Sequence, residues 1–397
     1  MTCGDAGDDC SAVRDSRSQC TAARPTRGYA VRVVPDAPLP AEEVERIAAD
    51  AALLCGIPAP TGHEGQRAQA VLERLRELGL EPASDAVGNV VCRVGPPGPA
   101  LALCAHLDTV FPSLEPQPAV RDGARLGGPG VGDNALGLAA LLAVARALAA
   151  DPPTGPVLLV ATVGEEGLGD LRGVTHLLDA EPVRALVAIE GHGVDSLAVG
   201  AVASARVRVT CSGPGGHSWS DQGRPSAIHA LVSAAERILA AAPPAVANVG
   251  VIEGGTAVNA IAERASLVLD LRHVDPALVE QALGRIERAA RTAPVAGIAT
   301  AVEVVGRRPG GDGTVSAALV ELAREARDAV GLEAAEEHPA STDANAAIGR
   351  GIPALGVGVS RGEDAHTERE WIAVPPIAYG AAALLGLVRR ADERIPV

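Results

Sequence analysis

The chain has 397 residues and sets 34 basic side chains against 49 acidic ones, a formal net charge of −15 at pH 7. Every basic residue is an arginine, and no lysine occurs anywhere. That absence excludes Schiff-base and pyridoxal-phosphate chemistry, and any phosphate loop built on a Gly-Lys-Ser/Thr lysine. With one Phe, two Tyr and two Trp there is almost no aromatic surface for stacking bases. Nor is there a basic stripe to release counterions, so nucleic acid is excluded as a partner.

At 47% hydrophobic and 21% charged the composition is that of a globular protein, long enough for two domains. Its core has to be built from Ala, Val, Leu and Ile. The uncharged apolar run Ala135–Ala145 is too short to cross a bilayer, and the first thirty residues lack the apolar stretch of a signal peptide. Of seven cysteines, Cys3, Cys10 and Cys20 sit in a polar leader at spacings unlike a zinc knuckle. Free thiols and a cytoplasmic location are the expectation.

Residues 1–38 are polar and without period, which predicts a disordered leader. Order begins near Ala41. Thr61 and Glu64 have capping-box spacing, followed by Ala68, Val71, Leu72, Leu75 and Leu78 at helical intervals. Then come short apolar runs at Asn89–Val94, Ala100–Ala105, Val157–Val163, Ala185–Ile189 and, far along, Ile352–Val359. Such runs predict strands buried on both faces of a mostly parallel sheet flanked by helices, with the Leu136–Ala149 helix as one crossover. The fold class is α/β.

From about residue 203 the pattern changes. Ala205–Val209 alternates strictly, as in a sheet with one wet face. A helix (Pro225–Ala241), two strands (Ala247–Ile252, Ser266–Leu271), a helix (Pro276–Arg291) and a strand (Ile298–Val305) follow. This β-α-β-β-α-β order is the ferredoxin-like unit. It predicts an inserted domain over 203–310, within a first domain made of 39–202 and 311–397. That first domain resumes with helices at Val315–Ala329 and Pro375–Arg390.

The acidic and histidine residues fall where the apolar runs end. His106 and Asp108 follow Ala105; Glu165 and Glu166 follow Val163; Glu190 follows Ile189; His366 lies shortly after Val359. Asp133 stands in the glycine-rich stretch Gly128–Asn134, just before a helix. In a parallel sheet these strand ends share one edge, so the seven residues converge on one crevice. Five carboxylates at such close quarters cannot all ionise without opposite charge, and no lysine is present to supply it. Two divalent ions would neutralise most of it, and imidazole with carboxylate suits zinc.

These motifs, in order, are His106-Leu107-Asp108-Thr109, Gly132-Asp133-Asn134, Glu165-Glu166-Gly167, Glu190, Gly215-Gly216-His217-Ser218 and Ala365-His366-Thr367. Together they resemble the di-zinc exopeptidases and deacylases, a family that includes aminoacylases, acetylornithine deacetylase, succinyl-diaminopimelate desuccinylase, peptidase T and glutamate carboxypeptidase. The resemblance extends from about Ala41 to the end. It implies two zinc ions (cobalt or manganese as substitutes), with His106 and Glu190 on one, Glu166 and His366 on the other, and Asp133 as the bridge. Asp108 is then the carboxylate that orients His106, and Glu165 the general base that shuttles a proton from water to the leaving amine. The inserted domain becomes a lid and homodimer interface. Its His217 reaches the facing subunit's site to steady the oxyanion, and Asn259 and Arg272 meet substrate carboxylates. The implied substrate is a small amino-acid derivative or short peptide, with no membrane partner. Glu rather than Asp at position 190 tilts the reading toward N-acyl amino acids, with an exopeptidase as the alternative.

Other readings compete at particular residues. Gly358-Val359-Ser360-Arg361-Gly362 has the spacing of a serine-hydrolase elbow, which makes a serine esterase the runner-up enzyme. A scaffold that kept its metals and lost turnover is the non-enzymatic alternative, which the intact Glu165 opposes. Gly128-Pro129-Gly130 hints at a dinucleotide loop, but Asp133 in the third glycine position would repel a pyrophosphate. Asp343 reads equally as a helix cap or a substrate contact. His63, His176, His192, His229, His273 and His338 read as cap, helix-face or solvent residues. Cys92 and Cys104 are most simply core residues.

Overall fold

The computed structural model describes residues 37–292 and 294–396. The leader expected over 1–38, with Cys3, Cys10 and Cys20, falls almost wholly outside them. The apolar runs form one eight-stranded sheet in the spatial order 83–84, 90–94, 157–162, 100–106, 183–190, 354–358, 196–201 and 336–340. Its centre is parallel: Ala100–His106 runs alongside both Val157–Thr162 and Val183–Glu190, and Ala354–Gly358 continues the set. Toward the edges Val90–Val94 and Ser196–Ala201 pair antiparallel to their inner neighbours. The central strands are buried on both faces, which is why they read as continuous apolar sequence.

Ser196–Ala201 and Glu336–Ala340 were not expected. Glu336–Ala340 contains Glu, Glu, His and Pro, sits on the sheet edge and is largely exposed, so it carries no apolar pattern. The helix after Asp133 runs over Gly137–Ala150 behind the sheet and is buried along most of its length. Joined to the preceding turn it makes a segment, Val131–Ala150, long and apolar enough to span a membrane. The Ala135–Ala145 run understated that length. With 83% of its most apolar window buried inside the protein, the segment is core.

The capping box at Thr61 does not form. The helix begins at Gly65, and the Thr61 hydroxyl donates instead to Asp108 Oδ2 at 2.8 Å. Glu64 Oε1 accepts from the backbone N–H groups of Gly62 and Gly164 and from Arg172. Tertiary demand on both side chains overrides the local cap.

A second, four-stranded antiparallel sheet has the order 246–254, 264–273, 203–212 and 299–308. Two helices, Ala227–Ala241 and Pro276–Arg291, cover one face. Ala205, Val207, Val209 and Cys211 pack under them with Leu231, Ile238 and Ile286 in a core of their own. The alternate residues Ser204, Arg206 and Arg208 face the other way. Asn345 holds both connections between the two sheets, its Nδ2 donating to the carbonyls of Val202 (2.9 Å) and Pro309 (3.0 Å).

Candidate active site

His106 and Glu190 are the last residues of neighbouring parallel strands, so their side chains emerge side by side. Asp133 comes from the turn before the Gly137 helix, and His366, with φ +64, from the loop after Gly358. The four segments meet. Asp133 Oδ1 lies 2.9 Å from His106 Nε2, and Asp133 Oδ2 lies 2.9 Å from His366 Nε2. Each imidazole has a further carboxylate: Glu190 at 3.7 Å from His106 and Glu166 at 3.2 Å from His366. The result is two matched half-sites that share one carboxylate, a donor set of imidazole and carboxylate that fits a pair of divalent cations. Ligand atoms of His106, Asp133 and Glu166 lie within 4.8 Å of one another.

The charges respond to this crowding. Burial opposes a charge on His106, but Asp108 and Asp133 outweigh it and hold the imidazole pKa well above its ordinary value. Asp133 and Glu166 push His366 up to about 10. Asp133 is disfavoured by burial, yet the two histidines hold its carboxyl far below the usual range. Burial raises Glu190 well above the carboxylate range, against the pull of His106.

Asp108 is fully buried and does more than face a histidine. Its Oδ1 accepts from Glu165 N (2.9 Å) and its Oδ2 from Glu166 N (2.8 Å), fixing the loop that carries both glutamates. Its backbone carbonyl, at 3.0 Å, lies closer to His106 Nδ1 than its carboxylate at 3.6 Å. Either contact puts the Nδ1 hydrogen on the protein side and leaves Nε2 for the site. Arg67, also buried, donates to the carbonyls of Ile57 and Leu107 and braces the His106–Asp108 segment from behind.

Glu165 is buried beside these groups without touching either histidine. Its Oε1 accepts from Arg308 Nη1 at 2.8 Å, and Arg308 Nη2 donates to the Glu165 carbonyl. Burial pushes the Glu165 carboxyl up to about 7, against the pull of Arg308. Arg308 lies past the expected strand Ile298–Val305, which ends instead at Arg308. Straight alternation along the last strand of the second sheet turns position 308 toward the helix-covered core. A bulge between Val304 and Gly306 reverses the phase, so Arg308 pairs with Ser204 on the open face.

A cavity of about 1300 Å³ lies between the two sheets and is lined by the cluster on one side and by Arg206, Asp270, Arg272 and Arg308 on the other. Arg272, bonded to Asp270 at 2.5 Å, therefore faces the site. His217 and Asn259 do not line the cavity; both are exposed on the second sheet's side of the molecule. His217 Nδ1 accepts backbone N–H groups from Trp219 (3.2 Å) and Ser220 (3.3 Å), which leaves the ring hydrogen on Nε2.

Three other expectations change. Ser360 is buried, with its hydroxyl donated to the carbonyl of Ala373, so it is not an exposed elbow nucleophile. Asp343 makes no cap hydrogen bond: it accepts from the Thr162 hydroxyl at 2.6 Å behind the sheet edge. His192 is neither a cap nor a solvent residue, since its Nε2 meets the buried Glu370 at 2.8 Å. Asn134 donates to the carbonyl of Ile189, a positioning contact within the protein. Cys55, Cys92, Cys104 and Cys211 are buried free thiols.

Acids and imidazoles gathered at the ends of parallel strands, under a separate antiparallel sheet, define a class: a metal-dependent hydrolase acting on amide or peptide bonds. Within that class the chain belongs to peptidase family M20/M25/M40, whose model matches residues 102–390. The chain is 35% identical over 243 residues to a LysW-lysine/LysW-ornithine hydrolase of Aeropyrum pernix; the match takes in 59% of this chain and spans 65% of that protein's length. It is 28% identical over 351 residues to the succinyl-diaminopimelate desuccinylase of Corynebacterium glutamicum, covering 83% of this chain and 93% of that one. A tripeptidase structure from Staphylococcus aureus shares the fold with a TM-score of 0.69 at 24% identity, covering 88% of this chain and 99% of that one.

Proposed function

We propose that this protein is a two-metal deacylase that hydrolyses the amide bond of an N-acyl amino acid. The observation that carries the reading is Asp133, which offers one oxygen to each of two histidines at equal distance. His106 and Glu190 would hold one ion, His366 and Glu166 the other, and Asp133 both. Such ions supply Lewis acidity and make water a competent nucleophile near neutral pH. Glu165 accepts the proton of the attacking water and returns it to the leaving amine, and Asp108 and Arg308 keep it in reach. Arg272 receives a substrate carboxylate across the cavity. Support for an acyl substrate over a peptide comes from Glu190 and from the likeness to a desuccinylase.

The second sheet and its helices act as a lid through which two copies pair. Its outer strand Val246–Gly254 is an exposed edge, and Val246, Ile252 and Val232 present apolar surface there. Pairing through this face brings His217 and Asn259 to the cavity of the facing subunit, where the Nε2–H of His217 stabilises the oxyanion.

The test is to load metal-free protein with Zn²⁺ or Co²⁺ and assay N-succinyl and N-acetyl amino acids beside tripeptides. Release of the amino acid from an acyl substrate, abolished by chelator, is expected. Hydrolysis of tripeptides alone would replace the deacylase by an exopeptidase, and activity indifferent to chelator would refute both. Metal uptake also has a predictable pH dependence. His106 and His366 have raised pKa values and hold protons that each ion must displace. Affinity therefore rises as pH increases. Calorimetry in buffers of different ionisation heat should record net proton release at neutral pH, and a heat independent of buffer would contradict it.

A further inference from the structure

Beneath the Asp133 turn lies a carboxylate that the catalytic reading does not use. Glu370 is almost wholly buried, at 1% exposure. Its Oε2 accepts from Gly130 N at 2.8 Å; its Oε1 accepts from Gly132 N at 2.9 Å and Asp133 N at 2.8 Å. His192 Nε2 supplies a fourth contact at 2.8 Å. Three N–H groups of one turn and an imidazole thus close around one carboxylate, contributed from more than 230 residues further along the chain than the turn.

The turn is built around this arrangement. Gly130 has φ +74, and a Cβ there would sit 2.7 Å from Thr109 Cγ2. A Cβ on Gly132 would lie 2.1 Å from His192 Nε2. Asp133 itself leaves helical geometry (φ −114, ψ 82), and its N–H is bonded by Glu370. The Glu370 backbone adds to the hold, since its carbonyl accepts from Gly128 N at 2.9 Å. The direction of the Asp133 carboxylate is set by the backbone at that residue. A shift of that backbone would move one oxygen away from His106 or the other away from His366.

We infer that Glu370 is a positioning residue: its carboxylate fixes the Gly130–Asp133 turn so that Asp133 addresses both histidines, and it thereby sets the affinity of the site for divalent cations. This rests on the two-metal reading and extends it to a group that touches neither ion nor substrate. Groups that orient metal ligands in this way typically govern affinity by about 10–100-fold.

Co²⁺ alone, titrated into metal-free protein and followed by calorimetry and visible absorption, is the test. Wild type is expected to take up two ions per chain. E370Q, which keeps the side chain's shape but turns an amide toward N–H donors, should bind the weaker ion about 10–100-fold less tightly, with an altered Co²⁺ spectrum. An E370Q protein that melts earlier but binds both ions with unchanged affinity and spectrum would overturn the inference and leave the metal reading intact. Wild type that binds no Co²⁺ would defeat the metal reading and this inference with it. If E370Q does not fold, E370D retains the anion with a shorter reach. The same loss of affinity is expected of it, and unchanged affinity, or failure of both variants to fold, would assign Glu370 a purely structural role.

Discussion

Replacing Glu165 by glutamine is expected to lower turnover by about 10²–10⁴-fold, the range of a positioned general base, with the number of bound metal ions unchanged. The choice of glutamine follows from Arg308. That guanidinium is buried, with its Nη1 on Glu165 Oε1. Truncation to alanine would strand a charge in the interior at a cost of about 3–5 kcal/mol, and lost stability would be confused with lost chemistry. Glutamine keeps an oxygen to accept from Arg308 and the shape of the side chain, while removing the carboxylate's charge and its ability to take a proton. Glu165 touches neither histidine, whereas Glu166 stands 3.2 Å from His366. The neighbouring substitution, Glu166→Gln, should therefore reduce metal uptake where Glu165→Gln does not. Metal analysis of the purified variants beside a single turnover assay separates the two. Near-normal turnover in Glu165→Gln would remove it as the base.

How much of this was legible beforehand depended on the kind of interaction involved. His106, Asp133, Glu166, Glu190 and His366 were readable together because each follows a buried strand or opens a helix, and parallel strand ends share an edge. The central strands were readable because burial on both faces leaves them apolar until their last residue, His106 in one and Thr162 in the other. Arg308 was hidden because its strand runs past the expected end at Val305, after a one-residue bulge that inverts side-chain direction without leaving a mark in composition. Glu370 was hidden because three of its four partners are backbone N–H groups, which every residue but proline possesses. Thr61 and Glu64 misled because the capping-box pattern was present, while both side chains were already engaged by the loops around Asp108 and Gly164. Short-range patterns failed wherever a long-range partner claimed the same side chain.

The remaining large effect concerns His217, which on the proposed pairing serves the cavity of the facing subunit. His217→Ala should lose about 10²–10³-fold in turnover with little change in metal uptake, as expected for removal of one oxyanion donor. Taken alone, that loss would not show which subunit's site His217 serves. Mixing does. In a heterodimer of His217→Ala with Glu165→Gln, one cavity combines an intact Glu165 with the partner's intact histidine, while the other carries both lesions. Random reassortment of equal amounts makes half of the dimers mixed, each with one working site of two. Two nearly inactive proteins should thus regain about a quarter of wild-type activity on mixing. If His217 served its own subunit, every site would carry one lesion and mixing would restore nothing. The exposure of His217 outside its own cavity, with Nδ1 engaged by backbone and Nε2–H left to donate, is the geometry that predicts recovery.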